Sequence, residues 1–265
     1  MNEPGGAPVL IRSRDNALLK ELRRLAQDST AYRKQGRIWL EGDHLARALL
    51  ARGGRAELAV FPESEWPQAQ AEWGRAAPKS VVVADALFDG LSTLESPARM
   101  GLVLTLPPVP DLEPQAPTLV LDRLQDAGNV GSVLRSAAAF GFRQVLALKG
   151  TAALWSPKVL RAGMGAHFGL RLMESLEAAA LDALAVPLLT TSSHQGELLG
   201  SQPLPWPCAW AFGHEGQGVS AELARRAARA VRIGQPGGEE SLNVAAAAAI
   251  CLHLSAMRRE AGPKL

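Results

Sequence analysis

"TLVLDRLQDAGNVGSVLRSAAAFGFRQVLAL", residues 118–148, sets two apolar runs on either side of a segment with helical spacing. "TLVLD" and "QVLAL" are short, continuously apolar runs, the pattern of strands covered on both faces. Between them "NVGSVLRSAAAFG", 129–141, reads as a short helix of small and apolar residues. At 100° per residue Val130, Val133, Leu134 and Ala137 share the side that faces a sheet. Arg135 lies roughly 150° from the centre of that stripe. Two readings stand for each polar residue here. Asn129 is a helix N-cap or a functional group, and Arg135 is a surface arginine or a cation carried above the sheet.

Downstream the same alternation continues. "PLLTTS", "CAWAFG" and "AVRIG" read as strands, and "SPKVLRAG", "SLEAAALDALA" and "SAELARRAARA" as helices, before a long helix from about Leu242 to Arg259. Apolar strands with helical crossovers predict an α/β fold with a parallel sheet, whose chemistry sits in loops at the strands' carboxyl ends. Upstream, "LPPVPDLEPQAP" (106–117) holds five prolines in twelve residues and reads as a semi-rigid linker. It separates a domain over 118–262 from a small α/β domain over 8–105. In the latter, "SRDNALLKELRRLAQDS", "LEGDHLARALLARG" and "DALFDGLST" read as helices, and "ELAVF" and "SVVVA" as strands.

The loops exclude several chemistries. "RLQDAGNVG" after the first strand lacks G-x-G-x-x-G, and there is no Walker pattern and no G-x-S-x-G elbow. The glycine-rich element follows "CAWAFG" instead: in "FGHEGQGVSAELARRAARA", Gly213, Gly216 and Gly218 permit tight turns and exposed amides. Ser220 is the expected cap of the next helix, with Glu222 at its positive end and Arg225, Arg226 and Arg229 at its negative end. Glu215 precedes that cap, so helix electrostatics do not explain it. His214 reads as an incidental loop residue rather than a general base. A third element, "IGQPGGEESLNVAAAAAICLHL", places Ser241 or Asn243 as N-cap before a run of five alanines that permits close packing on a sheet or another subunit.

The totals set the bounds. The chain has 265 residues, 47% of them hydrophobic, a net charge of +2 and two cysteines. Cys208 and Cys251 sit among apolar residues without CxxC, and the five histidines show no ligand spacing, so buried thiols and no metal are expected. The start lacks a signal-peptide layout, and no run of about 18 apolar residues exists to span a membrane; a cytoplasmic protein is expected. Residues 12–37 carry eight Lys/Arg against Asp15, Glu21 and Asp28, whereas 38–117 carry six basic against eleven acidic residues. Such a local excess suits a polyanion dock or a solvated helix face.

Three ordered motifs, "AGNVGSVLRSAAAFGF", "FGHEGQGV" and "SLNVAAAAAICL", resemble the SpoU/TrmH family of RNA ribose 2′-O-methyltransferases in the SPOUT superfamily. "SPKVLRAGMGA", "IRSRDNALLKELRRL" and "WLEGDHLARALL" extend the resemblance over nearly the whole chain. It implies S-adenosylmethionine as methyl donor, RNA as substrate, a homodimer and a carboxyl-terminal trefoil knot. Carried onto this chain, it implies Asn129, Arg135, Glu215, Ser241 and Asn243 as catalytic-site residues. Donor contacts fall on Thr190, Gly213, Gly216, Ile233 and Leu242. The amino-terminal domain becomes an RNA-binding domain, with Arg12, Arg14, Lys20, Arg23 and Arg33, together with Arg135, as RNA contacts that position without reading sequence. Large-subunit (23S) ribosomal RNA is expected ahead of transfer RNA, at a guanosine or uridine. The rival reading is a nonenzymatic RNA-binding or ribosome-assembly protein on the same fold. Gly234 and Ala245 depart from the family's usual proline and serine. On physical grounds Arg135 is expected to clamp phosphate or a developing alkoxide, oriented by Glu215, because a guanidinium keeps its proton.

Overall fold

The computed structural model describes residues 8–92, 98–192, 195–238 and 241–261, with side chains through Met257. By contacts the chain divides into two units. One runs to Pro108 and includes Trp155–Phe168; the other comprises Val109–Leu154 and the chain from Gly169 onward.

The first unit begins with β1 (Val9–Ile11), α1 (Ala17–Gln27), α2 (Ala31–Gln35), β2 (Arg37–Glu41) and α3 (Asp43–Leu50). It continues through β3 (Leu58–Pro62), α4 (Trp66–Trp73), β4 (Ser80–Val83), α5 (Asp85–Asp89) and β5 (Gly101–Thr105). Its five-stranded sheet has the order β1-β4-β3-β5-β2, with β5 antiparallel to both neighbours. Asn16 caps α1 by accepting from the amides of Leu18 and Leu19, and Leu19, Leu22 and Leu25 bury one face of that helix. "LEGDHLARALL" is not helical throughout: Leu40 and Glu41 end β2, Gly42 turns with φ +95°, and helix starts at Asp43. Only a residue without Cβ takes that backbone at little steric cost, so the glycine marks the boundary. β1, β2 and β5 are strands that the sequence patterns above do not mark. "DALFDGLST" is helical over Asp85–Asp89, and its last residue, Thr93, lies outside the described residues.

The second unit's elements, in chain order, start with β6 (Thr118–Asp122), α6 (Ala127–Ala139) and β7 (Gln144–Leu148). After α7 (Pro157–Gly163), which groups with the first unit, come β8 (Arg171–Leu176), β9 (Leu188–Thr191) and β10 (Glu197–Leu198). β11 (Ala209–Gly213), α8 (Ala221–Arg226), β12 (Arg229–Arg232) and α9 (Val244–Ala261) complete it. Seven strands pair in the order β10-β12-β9-β11-β6-β7-β8, every pair parallel. The central strands β11, β6 and β7 are buried at all five positions, which accounts for their unbroken apolar runs.

On α6, Val130, Val133, Leu134 and Ala137 are fully buried while Arg135 is exposed, as the helical arithmetic predicts. Each of the three larger side chains contributes about 1.5–3 kcal/mol by that burial. α9 packs on α6 and β11 through Ala248, Cys251, Leu252 and Ser255, and Trp210 Nε1 donates to Ser255 Oγ at 2.9 Å. Both cysteines are buried and unpaired, and burial pushes each thiol up to about 12, so neither supplies a thiolate at neutral pH. "SLEAAALDALA" ends β8 and then forms only a 3-10 segment, Ala178–Ala183, rather than the expected α-helix. Arg229 sits in β12, not at the end of α8, and pairs with Glu197 at 2.5 Å.

Candidate active site

Three loops of the second unit meet around one carboxylate. β6 and β11 are neighbours in register, Asp122 opposite Gly213, so the segments that follow them leave the sheet side by side. Glu215 accepts from the amides of Gln125 (3.2 Å) and Asp126 (3.1 Å) and from Asn129 Nδ2 (3.2 Å). Asn129 Oδ1 in turn accepts from Asn243 Nδ2 at 3.0 Å. Asn243 Oδ1 accepts from the amides of Ala245 (2.9 Å) and Ala246 (3.3 Å), which caps α9. An ionised carboxylate can only accept, so it turns Asn129's NH2 toward itself and the amide oxygen toward Asn243. Asn243 must then donate to Asn129, which leaves its own oxygen for the helix. One charge fixes both amide orientations.

The ionisation of Glu215 follows from the same contacts. Burial is the largest single influence and opposes the charge. The amides and Asn129 together outweigh it and hold the carboxyl below the usual glutamate range. Asn129 itself is not the N-cap of α6: Asp126 is, accepting the Asn129 amide at 2.7 Å. That frees the Asn129 side chain to bridge.

Gly213 closes β11 under tight constraint. A Cβ there would lie 2.1 Å from the Gly218 carbonyl carbon and the Val219 nitrogen. The loop then folds on itself: Gly218 N donates to His214 O at 2.8 Å, and His214 Nδ1 accepts the Gly216 amide at 3.0 Å. His214 is thus a loop staple. Ser220 caps α8 through Leu223 N.

The fold, the three-loop junction and the motif order agree with one comparison. The SpoU rRNA methylase family model matches residues 116–253, more than half of the chain. The chain belongs to the SpoU rRNA methylase family. It is 32% identical to an uncharacterised tRNA/rRNA methyltransferase of Synechocystis, over 92% of each chain. It is 29% identical to the 23S rRNA (guanosine(2553)-2′-O)-methyltransferase of Bacillus subtilis, over 92% of this chain and 97% of that one. Among solved structures, an RNA 2′-O ribose methyltransferase superposes with a TM-score of 0.78 at 32% identity, covering 96% of this chain and all of that one.

Within this SpoU methylase the expected site residues fall into two groups. Asn129, Glu215 and Asn243 are joined by hydrogen bonds. Arg135 and Ser241 are exposed, and their side chains make no hydrogen bond or ion pair among the described residues. The expectation that Glu215 orients Arg135 fails, because the hydrogen bonds of Glu215 run to Asn129 and to the amides of Gln125 and Asp126. Of the expected donor residues, Thr190 is buried at the end of β9, Gly213 ends β11 and Gly216 is exposed in the loop after it. Ile233 is half-buried and Leu242 is 40% exposed.

In the first unit Arg12 pairs with Glu63 and Lys20 with Asp15, while Arg33 Nε donates to the Tyr32 hydroxyl. Arg37 is bound between Glu21 and Glu57. Arg14 and Arg23 form no ion pair among the described residues. Structural pairing therefore trims the cationic excess read from 12–37. Among the described residues no group of three or more His, Cys, Asp or Glu could hold a metal ion, and no helix is long and apolar enough to cross a membrane.

The sequence reading missed Asp122, Arg123 and Gln217. Asp122 is buried and accepts the Ser220 amide at 2.6 Å through Oδ2. Its signal was an acid at the carboxyl end of a wholly apolar strand, where burial without a partner is too costly to leave unexplained.

Proposed function

We propose that this SpoU methylase transfers a methyl group from S-adenosylmethionine to a ribose 2′-hydroxyl of structured RNA, with 23S ribosomal RNA as the favoured substrate. The observation that carries this reading is the Glu215–Asn129–Asn243 relay, which ties the three motif loops together at the carboxyl ends of the central strands. The likeness to the Bacillus enzyme along nearly its whole length supports 23S ribosomal RNA; the Synechocystis relative's double designation keeps transfer RNA as the alternative.

The loop residues fit a nucleoside donor. Gln235 Oε1, in the loop after β12, is buried with no partner among the described residues, an acceptor whose bond is still to be made. Leu242 and Ile233 offer apolar surface, and a Cβ at Gly237 would meet only open space. Thr190, Gly213, Gly216, Ile233 and Leu242 would line the donor. Bound there, S-adenosylmethionine supplies an electrophilic methyl for displacement by the ribose oxygen.

The chain's own residues supply position and charge. A 2′-hydroxyl is a poor nucleophile, so holding it in line supplies much of the rate. Arg135 has five donors and no acceptor, which suits a phosphate or developing alkoxide and not a proton. Glu215 is already ionised and held by three donors, so it scaffolds Asn129 and Asn243 while the hydroxyl proton leaves to solvent. Ser241, exposed two residues before Asn243, would contact the ribose. Arg12, Arg14, Lys20, Arg23 and Arg33 would hold RNA phosphates.

We also infer the family's carboxyl-terminal trefoil knot and a homodimer. The outward face of α9 supports the dimer: Ala246, Ile250, His253 and Met257 are exposed and fall within about 60° of one another. Transfer of labelled methyl into unmodified 23S ribosomal RNA and transfer RNA tests the activity. Wild type is expected to label 23S RNA at one alkali-resistant ribose, and Arg135→Ala to lose roughly a hundredfold or more. Labelling of transfer RNA alone would overturn the substrate. Donor binding without transfer to either RNA would favour a nonenzymatic RNA-binding role.

A further inference from the structure

Arg123 follows β6 directly and adopts φ +62°, a left-handed backbone that residues bearing a Cβ rarely take. Such a backbone persists only where surroundings over-determine it. Here they do. The Arg123 amide donates to Thr151 Oγ1 at 3.1 Å, and that hydroxyl donates to Leu121 O at 3.0 Å. The side-chain stem passes over Gly150, where an added Cβ would lie 3.2 Å from Arg123 Cγ. Its Nε donates to the buried Asp122 at 3.0 Å, and its other branch, NH1, reaches Gln217 Oε1 at 3.0 Å. Asp122's second oxygen holds the Ser220 amide. Three loops, after β6, β7 and β11, are therefore fastened to one residue, and Gln217 lies two residues from Glu215.

We propose that Arg123 is a positioning residue of the transfer site. By gripping Gln217 it sets where the Glu215 loop stands against the start of α6, and so where Glu215 holds Asn129. The strained backbone serves that grip: it points the guanidinium across the loop after β11 instead of along the strand. This inference rests on the methyl-transfer reading for its kinetic consequence and on geometry alone for the clamp.

The test compares Arg123→Met, Gln217→Ala and the double variant in the full chain. Amide hydrogen exchange over 213–220 reads the clamp, and methyl transfer with saturating donor reads its consequence. Each single variant is expected to speed exchange in that segment about tenfold or more. The double variant should exchange no faster than Arg123→Met alone, because the Arg123–Gln217 contact is already gone in that variant. In transfer, kcat should fall about tenfold with KM for RNA within twofold, and Arg123→Lys should recover part of the loss. Wild-type exchange in Arg123→Met, or additive effects in the double variant, would overturn the clamp. A rise in KM for RNA at unchanged kcat would overturn positioning and make Arg123 an RNA contact. If wild type methylates no RNA, the methyl-transfer reading fails, while the exchange arm still decides the clamp.

Discussion

The amide of Asn243 accepts from two helix N–H groups through Oδ1 and donates to Asn129 through Nδ2, so its capping and bridging roles can be separated chemically. Aspartate caps as well as asparagine but cannot donate. Asn243→Asp is expected to keep the wild-type melting temperature within a few degrees and to lose methyl transfer about tenfold or more. Asn243→Ala should lose both, with about 1 kcal/mol less stability. Thermal unfolding beside labelled-methyl transfer checks this, and an aspartate variant of full activity would remove the bridge from the mechanism. At this scale the sequence offered Asn129, Glu215 and Asn243 as candidates but not their order. Hydrogen bonds spanning 86 and 114 residues of chain set that order, and no local pattern encodes them.

At the scale of elements, the turn from β11 into α8 is tightly constrained at one end. Its glycines differ in kind, although the sequence presents them as one glycine-rich loop. A Cβ at Gly213 would drive into the Gly218–Val219 backbone, whereas one at Gly216 has no atom nearer than 3.8 Å. Gly213→Ala is expected to lower stability by about 1–3 kcal/mol, as backbone overpacking does, and to weaken donor binding through the displaced loop. Gly216→Ala should leave stability within about 0.5 kcal/mol and change only donor affinity. Calorimetry with S-adenosylmethionine and thermal unfolding distinguish the two. Equal effects at both positions would contradict the packing argument. Likewise, "LEGDHLARALL" hides a strand-to-helix change because helical and strand patterns both tolerate its apolar residues; only the positive φ at Gly42 separates them.

For the whole molecule, the two faces of α9 make opposite demands. Ala248, Cys251, Leu252 and Ser255 are buried on the sheet side, while Ile250 and Met257 stay 37% and 51% exposed on the other. An apolar outer face on a long terminal helix is a cost in water unless a second copy covers it. Sedimentation is expected to give twice the 28.1 kDa chain mass for wild type and a single chain mass for Ile250→Glu. A monomeric wild type would sink the homodimer.

Features under short-range control are legible in the chain itself. Apolar runs marked the buried strands β6, β7 and β11. Helical spacing put Val130, Val133, Leu134 and Ala137 inside and Arg135 outside, and the ordered motifs pointed to the family. Features that join residues far apart in the chain arise only on folding. Strand order brought Asp122 beside Gly213, the charge of Glu215 oriented two distant amides, and three strand ends converged on Arg123. Polar groups under burial must find partners, and which partner each finds is settled only when the sheet has assembled.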